Sequence, residues 1–327
     1  MKALPVSTHE TIIAGVDAHK DTHHVTILTR TGEKIADRQF NATTSGYNKL
    51  LDWVVGFGAV DKIGLESTGS YAAGLSRFLV DHEVDVRKTL AGEATAVPKV
   101  STEIIESIRE LTVVRASAVK ARTVALVQLQ DVAITAPASL RERLDARSGK
   151  GLARQCAKLR ADGDRLDDPE QAAKLCLHGL AHRVRDLDTE IATLDGHLDK
   201  LVTIVAPTLL SRVGISTRHA AQFVITAGEN IDRLTSEAAF ARLCGTVPIP
   251  VSSGKSHRMR LHRGGDRQAN RALHMVTVCR LRYDERTIAY MERRQSEGLS
   301  KKDAMRGLKR FIAREVFNDL KVDLGIA

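Results

Sequence analysis

No apolar run in this chain of 327 residues approaches the roughly 20 that a helix needs to cross a bilayer, so no membrane span is predicted. The opening residues "MKALPVSTHETIIAGVD" lack the long apolar stretch and small-residue cleavage site of a secretion leader. Cysteine is scarce. Cys156, Cys176, Cys244 and Cys279 stand far apart and never as a Cys-x-x-Cys pair. That spacing argues against a disulfide framework or a zinc site, and for the reducing cytoplasm. Long-period repeats and low-complexity tracts are also missing.

What the chain has is length enough for two or three domains with real cores, and a localised charge. Its net charge is +9. Residues Val251 to Arg314 alone carry 17 Lys and Arg against 6 Asp and Glu, a net of +11. The remainder is therefore slightly acidic. A concentrated basic segment is the footprint expected for a polyanion partner. The alternative is a solvated basic face, but here the cations accompany glycines and hydroxyls rather than interspersed acids.

The first hundred residues read as α/β. "TIIAGVDAHKDTHHVTILTRTGEKIADRQF" predicts two or three strands, with a turn at Thr31-Gly32. "SGYNKLLDWVVGFG" predicts a helix capped by Ser45, "KIGLEST" a short strand, "GSYAAGLSRFLVDH" a helix and "VDVRKTL" a last strand. From about Ser101 the pattern is helical for a hundred residues, broken at Pro137 and at "DGDRLDDPE". Leu177, Leu180, Val184, Leu187, Ile191, Leu194, Leu198, Leu201 and Val205 alternate spacings of three and four, the seam of a coiled coil. Self-association would satisfy that seam, and so would an internal hairpin with residues 101–133. After Pro207 come a short helix, a turn at Gly214, a second helix, and "SEAAFARLCG" with Ser236 as N-cap and Gly245 as stop. Two basic helices follow, near 266–282 and 300–319.

Asp17 and Glu66 each sit at the end of an apolar strand, in "IIAGVDAHKD" and "KIGLESTGSY". Alone, either is a turn or cap residue. Together on neighbouring strands they could hold Mg²⁺ through hard oxygen ligands, though two metals clamping a phosphate need about four carboxylates. In "TVPIPVSSGKSHRMRLHRGGDRQANRALH", Ser253 precedes Gly254, with Lys255, Arg258, Arg260, Arg263 and Arg267 after it. A serine that attacks DNA needs an exposed hydroxyl, a group to take its proton and cations to stabilise the phosphate. The stretch supplies the hydroxyl and the cations. No base is named by the sequence, although His257 is near and Asp17 could reach the site in an assembly. Three classes stay open on the residues: a DNA strand-transfer enzyme, a nucleic-acid binder without chemistry, and an unrelated phosphate-handling enzyme. For the last, "GVDAHKDTHHVTIL" resembles the strand–Asp–strand opening of actin-like sugar kinases and ATPases. The turn after Asp17 has no glycine to let the backbone cradle phosphate, and no later Gly-rich adenosine motif occurs.

Asp17 in "GVDAHKD", Glu66 in "LESTGSY", "AAFARLCGTVPIPVSSGKSHRMRLHRGGDRQANRALH" and "ERRQSEGLSKKDAMRGLKRFIAREVF" together closely resemble the insertion-sequence 110 family of transposases, the DEDD recombinases related to the Piv invertases. The resemblance runs over essentially the whole chain. It implies α/β plus α architecture: a RuvC-like (RNase H-like) domain over 1–99, a helical coiled-coil linker over 100–205 used in oligomerisation, and a mainly helical C-terminal transposase domain over 206–327. It implies Mg²⁺ as cofactor. The partners it implies are donor and target DNA, a structured guide (bridge) RNA, and further copies of the chain in a dimer or tetramer, in the cytoplasm at the bacterial nucleoid. Asp17 and Glu66 match the first two acids of the metal-binding tetrad. Ser253 matches the nucleophile, with Ser252 one residue away as the fallback.

The chain departs from the family at the other two acids, which belong to a Lys-x-Asp-x-x-Asp-Ala motif on a helix after the last strand. Here "HEVDVRKTLAGEATAVPKVST" holds no Asp-x-x-Asp, and the helix is absent from the pattern. Asp85, Glu93 or Glu103 could substitute, but none has the family's spacing or local context. The reading is an internally deleted copy that binds Mg²⁺ poorly. "SRVGIST" also has one Gly where the family often has a Gly-x-Gly hairpin that resembles helix-hairpin-helix DNA binders.

Overall fold

The computed structural model describes residues 11–66, 70–90, 93–99, 103–144, 149–253, 256–262 and 264–325. The chain divides into two compact units, residues 1–102 with 228–235, and residues 103–227 with 236–327.

The first unit is a sheet with helices on it. Its strands are β1 (Thr11–Ala18), β2 (Thr22–Thr29) and β3 (Lys34–Asn41), then after α1 (Thr44–Val55) β4 (Ala59–Leu65), and after α2 (Ala73–Asp81) β5 (Val86–Leu90) and β6 (Glu93–Ala96). Period-two alternation makes β1 and β2 strands: Ile12, Ala14, Val16, Val25 and Ile27 are all buried. The strand order is β3-β2-β1-β4-β5-β6. β1 pairs antiparallel with β2 and parallel with β4, and β4 pairs parallel with β5. Leu50 and Val54 of α1 and Leu75 and Leu79 of α2 fill the core with them. The hairpin between β2 and β3 turns where expected, with Gly32 at φ +91° donating its N–H to Thr29. The cap of α1 is Thr43 rather than Ser45. Its hydroxyl accepts from Gly46 N at 3.1 Å, so the helix starts two residues earlier than the sequence suggests. β6 is an additional strand, antiparallel to β5.

The second unit begins with two long helices, α3 (Glu103–Thr135) and, after the short α4 (Ala138–Arg141) and α5 (Gly149–Cys156), α6 (Pro169–Val205). Pro137 and the Asp-rich stretch interrupt them as expected. Asp168 caps α6, accepting from Glu170 N at 2.9 Å, and Pro169 stands in its first turn. Ion pairs between α3 and α6 fix the register: Arg115 to Asp195 at 3.0 Å and Arg122 to Asp188 at 2.6 Å; past α4, Arg143 also reaches Glu170 at 2.7 Å. Residue numbers rise on one helix as they fall on the other, so the pair is antiparallel. The seam of α6 thus faces α3 of the same chain. Leu177, Val184, Ile191, Leu198 and Val205 are buried, whereas Leu180, Leu187, Leu194 and Leu201 are half-buried.

The rest of this unit is α7 (Pro207–Leu210), α8 (Thr217–Ala227), α9 (Glu237–Leu243), the hairpin β7 (Pro248–Ser253) and β8 (Ser256–Leu261), α10 (Arg267–Tyr283), α11 (Glu285–Ser296) and α12 (Lys301–Asp323). The sequence suggests two basic helices; three form, because Asp284 ends α10 and caps α11 by accepting from Thr287 N at 2.9 Å. α12 anchors the unit. Arg212 forks onto Asp319 at 2.6 and 2.8 Å, Arg280 onto Glu315 at 2.8 and 3.0 Å, and the Asp323 carboxylate accepts from Thr208 N and Leu209 N at 2.9 and 3.1 Å. Gly214, at φ +81°, lies against Arg280 and the Val276 carbonyl, so the single glycine of "SRVGIST" is a packing residue. No helix among the described residues is long and apolar enough to cross a membrane.

Candidate functional site

Asp17 and Glu66 meet at one end of the sheet. Val16 pairs with Leu65, and Glu66 N donates to Val16 O at 3.2 Å, so the two acids occupy the next register position on neighbouring parallel strands. Val16 and Leu65 are buried; both carboxylates are exposed, as the pleat requires. His19, in the turn after β1, brings Nε2 to 3.2 Å from Asp17 Oδ2. Below them His23 is fully buried, its ring stacked on Tyr47 with centroids 5.6 Å apart. Neither of its ring nitrogens has a hydrogen-bond partner, and burial pushes its pKa down.

Two carboxylates side by side do not make a two-metal site. Among the described residues no three His, Cys, Asp or Glu side chains converge as a metal-holding group. Asp85 is ruled out as a substitute. It precedes β5, at the opposite end of the parallel strands, and both its oxygens are taken by Arg87 at 2.7 and 2.9 Å. Glu93 opens β6 opposite Leu90, and Glu103 opens α3; their side chains lie outside the described residues. Between β5 and α3 the described residues form β6 and a short coil, without a helix.

Ser252 and Ser253 end a strand instead of standing in a turn. The register pairs Ser253 with Ser256, Ser252 with His257, Val251 with Arg258 and Ile249 with Arg260. His257 is therefore opposite Ser252, not Ser253. Arg260 and Arg267 are exposed. Lys255 and Arg263 lie outside the described residues, as do the side chains of Ser252, Ser253, His257 and Arg258.

The hairpin emerges from a dense clasp. Ser236 caps α9 by accepting from Ala239 N at 3.2 Å, and Gly245 ends that segment at φ +65°. Asp266 N donates to Leu243 O at 2.7 Å. Gly245 and Gly265 come so close that a Cβ on Gly265 would lie 2.4 Å from Gly245 N. Asn270 Nδ2 donates to the carbonyls of Cys244 and Gly245, both at 2.9 Å, and its Oδ1 accepts from Lys309 Nζ at 2.6 Å. Asp266 also caps α10 and accepts from Thr226 Oγ1 at 2.7 Å. Burial lowers the Lys309 pKa and pushes the Cys244 thiol up, so that cysteine is an inert filler. Sequence reading found Gly245 but missed Asn270 and Lys309, because Asn270 bonds backbone 25 and 26 residues away and Lys309 bonds the Asn270 side chain 39 residues away. "GGD" was the one local hint of a close backbone approach.

Comparison with known proteins aligns with these two places. Residues 206–292 match the family model described as Transposase IS116/IS110/IS902 family, and residues 14–98 match the DEDD transposase model of the IS110 group. The "Insertion element IS900 uncharacterized 42 kDa protein" of Mycobacterium paratuberculosis is 28% identical over 43% of this chain and 36% of its own length. The "Insertion element IS110 uncharacterized 43.6 kDa protein" of Streptomyces coelicolor is 31% identical over 32% of this chain and 26% of its own. The matched stretches thus span about a third or less of those relatives. One match lies over the sheet and the other over the clasp and its hairpin, so two separate stretches of the chain are similar to transposase domains of the IS116/IS110/IS902 group.

Proposed function

We propose that this chain is, by descent, an insertion-sequence transposase that cuts and rejoins DNA through a serine–DNA intermediate. The observation that carries the reading is the pair of transposase matches in one chain, on the sheet that holds Asp17 and Glu66 and on the hairpin that holds Ser253. An antiparallel β3-β2-β1 followed by parallel β4 and β5 supports an RNase H-like (RuvC-like) assignment for the first unit. In the reaction, the Ser253 Oγ attacks a backbone phosphorus. The Oγ–P bond forms as a P–O bond to the sugar breaks, and the hydroxyl proton passes to a base. A free DNA end then attacks the phosphoserine and releases the serine. Arg260 and Arg267, with Lys255, Arg258 and Arg263, would grip phosphate. Donor and target DNA, a structured guide RNA and further copies of the chain complete the assembly.

The family's divalent metal, Mg²⁺, fits poorly here. Asp17 and Glu66 supply two hard oxygen ligands where a two-metal clamp needs about four. We read the missing helix after β5 as an internal deletion that impairs catalysis. Purified chain with its element's RNA and Mg²⁺ should join donor to target weakly. Ser253→Ala should abolish that joining while Ser252→Ala leaves it. Equal activity in Ser253→Ala would sink the serine assignment.

The incomplete carboxylate set favours a second reading, a DNA- or RNA-binding relative without catalysis. It predicts binding whose log affinity falls steeply with log salt. It also predicts no strand transfer until an Asp-x-x-Asp helix is restored after β5. Efficient recombination by the chain as it stands would refute it.

A further inference from the structure

Two imidazoles meet on the flank of α6. His178 and His182 stand four residues apart, so both project from one face of the helix, one turn from each other. Their ring centroids are 4.2 Å apart with the planes 38° from parallel, and among the described residues no other two histidine rings are in contact. Leu177 and Ala181, one residue before each, are buried in the helical core, and the two histidines are half-buried beside them. Nδ1 of His178 is buried and has no hydrogen-bond partner. A buried ring nitrogen with a purely packing role normally has one.

The row that continues from the pair in both directions is Glu170, Lys174, His178, His182 and Asp186. Lys174 is held by Glu170 at 2.8 Å, so a divalent ion between the rings would meet no unopposed cation along the row, and a carboxylate stands one turn beyond His182. Two imidazoles at this spacing on a helix can reach one ion together. Zn²⁺–N bonds of about 2.0 Å at near-tetrahedral angles set the two nitrogens roughly 3.3 Å apart, a separation that rings this close reach by turning edge-on to a shared ion. The cysteines are too scattered to hold zinc, but these imidazoles need none of them. We propose that His178 and His182 chelate a zinc ion across one turn of α6, with water completing its coordination. The ion would staple the stretch of α6 whose Leu177 and Ala181 pack with Leu152 and Cys156 of α5. This site differs in kind from the Asp17–Glu66 pair, since imidazole nitrogen suits Zn²⁺ whereas Mg²⁺ takes oxygen. The proposal does not depend on the transposase reading.

Calorimetric titration of the metal-free full chain with Zn²⁺ tests it, together with melting midpoints measured in Zn²⁺ and in EDTA. The wild type should bind Zn²⁺, and the second unit should melt about 2 to 4 °C higher with the ion, a shift that EDTA reverses and Mg²⁺ does not produce. His178→Ala and His182→Ala each leave a single ligand. Each should weaken the binding by about ten-fold or more and remove the shift, and the double variant should lose little beyond either alone. Alanine favours the helix at both positions, and circular dichroism in EDTA checks that the variants fold. His178→Gln, which keeps a polar side chain there, should behave as His178→Ala does. Cys176 is exposed and two residues from His178, on another side of the helix, so Cys176→Ser should bind as the wild type does. A wild type that binds no Zn²⁺, a shift that survives either histidine substitution, or one that is lost with Cys176 would each overturn the proposal.

Discussion

The end of the sheet and the clasp beneath the serine hairpin hold polar residues in opposite ways. At the sheet end Asp17 and Glu66 are exposed and side by side, and the buried base below them, His23, has no partner. In the clasp the buried base is Lys309, and its ammonium donates to Asn270, which in turn holds two carbonyls of the hairpin root. Half-satisfied polar sites are weak, and fully connected ones fix a unique backbone path. The serine hairpin is therefore scaffolded from within, whereas the sheet end leaves two carboxylates exposed side by side.

The sharpest way to break this contrast is Gly265→Ala. Its methyl would fall on backbone at Gly245 that cannot rotate away. The unit should lose about 3 kcal/mol or more, read by urea unfolding. A near-neutral Gly265→Ala would mean that the two glycines are not locked together. Next comes Asn270→Ala, which strips two carbonyls of their donor and leaves Lys309 buried without an acceptor. About 2 kcal/mol should go, and hydrogen exchange at the hairpin root should speed up.

At the sheet end the effects should be smaller and of a different kind. The folded pKa of His23 lies below its ordinary 6.5, so the unfolded chain binds its proton first. The stability linked to it is present above pH 6.5 and declines as the pH falls from there toward the folded pKa. His23→Phe should flatten the decline of the first unit's melting midpoint between neutral and mildly acidic pH. An unchanged slope would show that the imidazole finds a partner on protonation. Asp17→Asn should be the smallest, under about 0.5 kcal/mol, since an exposed carboxylate beside His19 contributes little to folding. A large loss there would give the sheet end the structural role assigned here to the clasp.

Legibility in the sequence followed the range of the interactions. The β1–β2–β3–α1–β4–α2–β5 order could be read because period-two and helical spacing are local. So could the caps at Ser236 and the breaks at Pro137 and Pro169, which depend on one or two neighbours. Ser45 was a near miss for Thr43, since both stand before the same helix. The hairpin has no local signal because Pro, Ser and Gly are weak strand formers, and only pairing with Ser256–Leu261 makes Pro248–Ser253 a strand. The α6 seam was legible as a seam, but the choice between self-association and the hairpin with residues 101–133 was not, because either would cover the same side chains. Lys309 and Asn270 were illegible: their bonds reach back 39 and 26 residues and leave no local period. The absence of an Asp-x-x-Asp after the last parallel strand was plain from the sequence, whereas the place of Asp85 became clear only when β5 showed which end of the sheet it occupies.

The Asp323 carboxylate holds the first turn of α7, about 115 residues upstream of it. Read in the order of synthesis, the start of that turn leaves the ribosome long before the group that caps it. The second unit therefore closes late, once the last turn of α12 has emerged, and until then Arg212 and Arg280 also wait for their acids. Gene fusions or frameshifts that remove only the last turn of α12 should yield a chain whose earlier helices stay open to proteases, even though every residue matched to the transposase models is present.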